Sequence, residues 1–277
     1  MATAPKATTA TAKKEGSGSN IFASLTIVIC LVIGFLLWKF VMGNAANCEG
    51  GDPENGHPLP GNYFGMVYKG GIIVPVLMGM LLMVIVFSIE RFIVINKAAG
   101  NGNVDVFVQK IQGYLSSRNI EAAIAECDKQ KGSVANVIKS GLKKYREVET
   151  DGGMNTEQAS LAIQKDIEEA TALEMPMLEQ NLTVIATLVS VGTLTGLLGT
   201  VSGMIKAFAG LATAGAPDQA ALANGISEAL INTATGIATS TIAIIMYNIF
   251  TSKIDKLTYS IDEAGFSIVQ TYASTHK

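Results

Sequence analysis

The chain has 277 residues, of which 49% are hydrophobic and 16% charged, with a mean hydropathy of +0.36. That is too apolar for a water-soluble domain of this length, so the chain reads as a membrane protein whose surroundings are lipids. A net charge of -3 argues against a nucleic-acid partner, which would need a strongly basic surface.

Residues 1–20 are rich in Ala, Thr, Lys, Gly and Ser and read as a disordered tail. Residues 21–42 are a first hydrophobic span with one charge, Lys39. Lys13 and Lys14 precede it as they would a signal sequence. Its apolar run exceeds the roughly 7–15 residues of a signal core, so a retained additional helix is expected. Residues 43–70 carry Gly, Pro, Asn and acidic residues and read as an irregular loop on the outer side. His57 there has no ligand set around it in sequence. A second span follows at 71–95, with its uncharged core from Gly71 to Ile89.

Residues 96–179 read as a helical domain. Val104, Phe107, Val108 and Ile111 keep helical spacing, as do Ile120, Ala123, Ile124 and Cys127. Asn119 reads as an N-cap, and Asn155 with Gln158 as a capping box. From Thr156 the pattern predicts one long helix reaching about Leu211, with Pro176 as the candidate kink. A span at 180–212, an outer loop at 213–223, a span at 224–252 and a helical tail at 253–277 complete the chain.

Basic residues set the orientation, because they stay on the cytoplasmic side. Three precede Ile21, eleven lie between Arg91 and Lys165, and three follow the last span, leaving Lys39, Lys69 and Lys206. The N-terminus, the 96–179 domain and the C-terminus are therefore expected in the cytoplasm. Cys30, Cys48 and Cys127 then fall in different compartments, which rules out an intramolecular disulfide framework. No phosphate loop, metal-ligand set or nucleophile triad is present, so no enzymatic reading arises and no cofactor is expected.

The last two spans carry the unusual chemistry. On a helical wheel Gly192, Gly196, Gly199, Gly203 and Gly210 fall within roughly 60–80°, a face suited to close helix packing. In the last span Glu228, Asn232, Thr235 and Thr239 lie within about 60° of each other, with Thr233, Gly236 and Ser240 beside them. A carboxylate, an amide and several hydroxyls inside a span are costly unless they face protein or water. They point to an ion pathway. Against that, a single Thr often bonds back to its own helix, Glu228 suits a buried anchor, and Lys206 suits a side chain snorkelling outwards.

These residues resemble the MotA/TolQ/ExbB family of proton-channel proteins, most closely its ExbB members. The resemblance rests on Gly196-Leu197-Leu198-Gly199-Thr200-Val201-x-Gly203-Met204 and on Ile226-Ser227-Glu228-Ala229-Leu230-Ile231-x-Thr233-Ala234-x-Gly236, with Tyr247-Asn248 beyond. It implies an all-α inner-membrane protein forming a pentameric ring around an ExbD-like single-span partner, with a TonB-like protein downstream. It also implies that Thr200, Thr233 and Glu228 belong to the ion pathway, to which the wheel adds Asn232 and Thr235. The chain departs from the family pattern in its first span and in having Thr193 and Ile242 where prolines are common. Additional hydroxyls at Thr195, Thr235, Thr239, Ser240 and Thr241 leave sodium open beside the proton implied by the resemblance. A TolQ-like subunit and a non-conducting scaffold are the alternatives.

Overall fold

The computed structural model describes residues 16–53, 56, 58, 59, 61–212 and 219–276. The N-terminal tail to residue 15, His57 and the 213–218 part of the outer loop lie outside the described residues. Among the described residues there are nine α-helices and no strand. Among the described residues four helical stretches are long and apolar enough to cross a membrane, as the hydropathy of the sequence predicts.

Helix α1 (Gly16–Leu36) continues as a π-helical turn, Leu37–Met42, closed by the Gly43 N–H donating to the Trp38 carbonyl. Helix α3 (Val74–Ala99) runs against α1. The two backbones approach closely because Gly34 and Gly79 present no side chain; a Cβ on Gly34 would lie 2.7 Å from the Gly79 nitrogen and the Pro75 carbonyl oxygen. The connecting segment holds two 3₁₀ turns and a short helix α2 (Tyr63–Tyr68). It is tied back to the membrane helices: Trp38 stacks on Tyr68 at 4.8 Å and donates to its carbonyl, and Asn47 donates to the carbonyls of Val41 and Met42. Cys48 is buried within it, and all three cysteines are free.

Helices α4 (Val104–Ser116), α5 (Ile120–Gln130), α6 (Gly132–Asp151) and α7 (Thr156–Glu179) form a helical domain with the end of α9 (Gln219–Thr275). Its core is large and apolar: Phe107, Ile111, Leu115, Ile138, Leu142, Ile163 and Ile268 are all buried. The caps fall where side-chain chemistry puts them. Asn119 accepts from the Ala122 N–H, and Asn155 with Gln158 forms the reciprocal capping box.

The expected continuous helix from Thr156 to Leu211 is interrupted. Pro176 sits inside α7, and the break comes four residues later, where Gln180 is extended and Asn181 takes a positive φ of 61° before α8 (Leu182–Ala212) begins. In an unbroken helix the carbonyls of Met177 and Leu178 would accept from residues 181 and 182. Here Arg91 of α3, only 2% exposed, donates to both at 3.1 Å. Its charge is matched by Glu90, whose Oε2 accepts from Arg91 Nε at 2.6 Å and from Asn181 Nδ2 at 3.4 Å. A buried guanidinium thus replaces a turn of helix and locks α3 to the base of α8.

Candidate ion-pathway site

Helices α8 and α9 lie antiparallel in one continuous contact. Climbing α8 means descending α9. Thr193 meets Ser240, Gly196 meets Gly236, Thr200 meets Thr233, Gly203 meets Ala229, and Lys206 meets Glu228. The glycines set this spacing. A Cβ on Gly236 would lie 2.7 Å from the Gly192 carbonyl oxygen and 2.8 Å from the Gly196 Cα. One on Gly203 would lie 2.7 Å from the Gly225 carbonyl oxygen, and one on Gly199 would strike the Asn232 side chain. Only hydrogen fits at these points, so the backbones come within reach of each other's side-chain hydroxyls.

The polar residues of α9 do not share one environment. Thr233, Gly236 and Ser240 face α8 alone, whereas Glu228 and Asn232 touch both α8 and the turn that leads into α3. Asn232 is fully buried and donates to the Gly70 carbonyl at 2.9 Å; its Oδ1 has no partner. Gly71, with φ +78°, passes so close over Glu228 that a Cβ there would fall 2.3 Å from its Oε1. Asn232 thereby anchors a neighbouring turn. Thr235 donates to the Ile231 carbonyl at 2.8 Å, Thr239 to Thr235 at 2.9 Å and Thr241 to Ile237 at 2.8 Å. These hydroxyls are satisfied within their own helix.

Thr200 and Thr233 differ. Their hydroxyls are in direct contact across the helix pair, and both residues are half-buried. Thr200 also lies 3.3 Å from the Gly196 carbonyl and 3.5 Å from that of Ala229, to which Thr233 is 3.2 Å. Two hydroxyl hydrogens thus have four oxygen acceptors within reach. Rotating a hydroxyl switches its acceptor without moving a heavy atom. Such a pair can donate to a carboxylate or accept from a carboxylic acid brought beside it.

Wheel reasoning misses Lys206. Rather than snorkelling alone, its ammonium lies 2.6 Å from Glu228 Oε1, in the turn above the threonine pair. The Glu228 side chain is 11% exposed and the Lys206 side chain 53%. The antiparallel glycine register was the signal that would have put these two residues level with each other. Gly70 and Gly71, the turn held by Asn232 and packed on Glu228, carried no signal beyond a Gly-Gly pair before a span. Among the described residues no cluster of His, Cys, Asp and Glu suits a metal ion. Cys127, outside the spans, is an inert thiol: burial pushes its pKa up to about 12.

Residues 129–263 match the MotA/TolQ/ExbB proton channel family, a stretch that includes α8, the threonine pair and most of α9. The Tol-Pal system protein TolQ of Pseudomonas aeruginosa is 32% identical over 124 residues, 45% of this chain and 54% of that protein. A putative ExbB-like biopolymer transport protein of Synechocystis is 34% identical over 88 residues, 31% of this chain and 42% of its own. The biopolymer transport protein ExbB of Salmonella typhimurium is 32% identical over 85 residues, 31% of this chain and 35% of its own. The chain thus spans about half, or less, of these curated relatives.

Proposed function

We propose, from the match of residues 129–263 to the MotA/TolQ/ExbB proton channel family, that this chain is an ExbB-like stator subunit of a bacterial inner membrane. It uses the proton gradient, with an ExbD-like single-span partner, to energise a TonB-like protein. Several copies, five on the family pattern, would enclose the partner's membrane helix. The N-terminus, the α4–α7 domain and the end of α9 would lie in the cytoplasm, as the distribution of Lys and Arg favours.

The observation that carries this reading is the Thr200–Thr233 hydroxyl pair. It sits between two spans held close by glycines packed on backbone, with the Thr193–Ser240 hydroxyls on one side of it along the helices and Lys206–Glu228 on the other. A scaffold needs no exchangeable donors there. An ion path does, because a partner carboxyl group that is neutral in an apolar setting and charged in a polar one can carry a proton past them. Glu228 stands in the turn above, towards the outer side. Asn232 and Thr235 serve as a packing anchor and a self-bonded hydroxyl.

The test is Thr233→Val, with Glu228→Ala beside it, in the complex purified from its own host. Both should assemble like the wild type and lose proton-driven coupling. Full activity in both would overturn the site. Changed assembly with unaltered flux per complex would support the scaffold reading. The alignment to TolQ is longer than the alignments to the two ExbB-named relatives given above, which favours keeping a Tol-type system as the second reading. The mass of the co-purified partner in native mass spectrometry separates the two systems.

A further inference from the structure

By sequence, Lys206 and Glu228 are the only Asp, Glu, Lys or Arg side chains in the helical stretches 182–212 and 219–252. They lie on different helices and close on each other at 2.6 Å. The one fixed negative charge in these two stretches is therefore already balanced by a tethered cation. Below it the route offers hydroxyls and backbone carbonyls, with no net charge.

From this we infer that Lys206 is a specificity-determining residue that makes the pathway select protons against metal cations such as sodium; the inference rests on the proposed reading of α8 and α9 as the ion route. A metal ion entering a low-dielectric path keeps its full charge. It needs fixed negative charge and several oxygen ligands to replace its water. Glu228 is the residue of this chain suited to supply that charge, and Lys206 occupies it. Gly71 on another side of the carboxylate leaves no room for a second ligand there. A proton faces no such barrier. It crosses as the neutral form of a carboxyl group, or along hydroxyls and water, without requiring a permanent counter-charge. Lys206 touches neither the proton nor the threonine pair; it acts by holding Glu228.

The experiment uses the complex purified from its host and reconstituted in lipid vesicles. Proton flux is read with an internal pH dye and sodium uptake with a radiotracer, each under its own imposed gradient. The wild type should pass protons and take up no sodium above empty vesicles. Lys206→Met leaves the carboxylate unbalanced, and sodium uptake should rise to about tenfold or more over empty vesicles. Lys206→Gln, which keeps a donor beside Glu228, should give the same gain and stands in if the Met variant does not assemble. Lys206→Met with Glu228→Gln restores neutrality and should again take up no sodium. A merely structural ion pair would move assembly in these variants and leave ion choice unchanged.

Wild-type sodium uptake matching its proton flux would overturn the inference and leave the ion route standing. So would single variants that assemble and remain blind to sodium. A wild-type complex passing neither ion would overturn the proposed function, and this inference with it.

Discussion

The same long helix, α9, is packed in two different ways along its length. Between Gly225 and Ser240 it meets α8 through glycines, backbone atoms and hydroxyls. Beyond Phe250 it joins the α4–α7 domain through Ile254, Leu257, Ile261, Ile268 and Tyr272, all buried. There two glycines are covered by a large side chain rather than by backbone. Ile167 occupies the space over both Gly141 and Gly265. The difference follows from the solvent. In water, burying a large apolar side chain is itself the driving force. In lipid it gains nothing over exposure to acyl chains, so association depends on close backbone approach and on hydrogen bonds. One helix therefore carries two codes.

The largest effect should come from the water-side code. Phe107 is buried in the centre of the α4–α7 domain. Phe107→Ala should destabilise that domain by about 3–5 kcal/mol, the usual cost of emptying a packed aromatic site. Early proteolysis or lowered thermal stability of the domain, with α8 and α9 still resisting cleavage inside the membrane, would show the two regions to be separable. Equal loss in both would merge them into one cooperative unit.

Gly236→Ala tests the other code. The added methyl meets only backbone atoms of Gly192 and Gly196, which have no side-chain rotamer to yield. About 1–3 kcal/mol of overpacking is expected, together with a widened gap between Thr200 and Thr233. Coupling should fall further than stability does. A variant with wild-type coupling would mean that the hydroxyl pair does not depend on the glycine register. In the domain, by contrast, a methyl at Gly265 meets only the side chain of Ile167, at 3.2 Å.

These two codes were unequally visible in the sequence. The spans, the helical domain and the caps at Asn119 and Asn155 follow from periodicity and local chemistry, which act within a few residues. The glycine stripe is visible for the same reason. The break at Gln180–Asn181 is not, because it depends on Arg91, 86 and 87 residues from the carbonyls it serves. The wheel also put Glu228, Asn232, Thr233 and Thr235 on one polar half without saying what faced it. Helical angle fixes where a side chain points but not which neighbour lies there. Only with α3 and α8 in place does that half divide into a hydroxyl pair, a packing anchor and an ion pair.

The smallest effect belongs to charge on the water-side domain. Glu126 of α5 lies between Lys110 at 2.7 Å and Lys129 at 3.3 Å. The hydrogen bond from Lys110 is the main cause that holds its carboxyl below the usual range, with Lys129 adding to it and burial opposing it. A depressed folded pKa means that the folded state binds this proton less readily than the unfolded chain does. The stabilisation is therefore fully present above the ordinary carboxylate pKa of about 4.3 and is lost as the pH falls through the lower folded value. Glu126→Gln should remove that dependence and leave the remaining acid sensitivity of the domain in place, with little change in the thermal stability of the α8–α9 pair. Stability of the variant measured from pH 7 down to pH 3 checks this. If the wild type and Glu126→Gln lose stability in parallel, the two lysines are solvated neighbours and the contrast between the regions rests on packing alone.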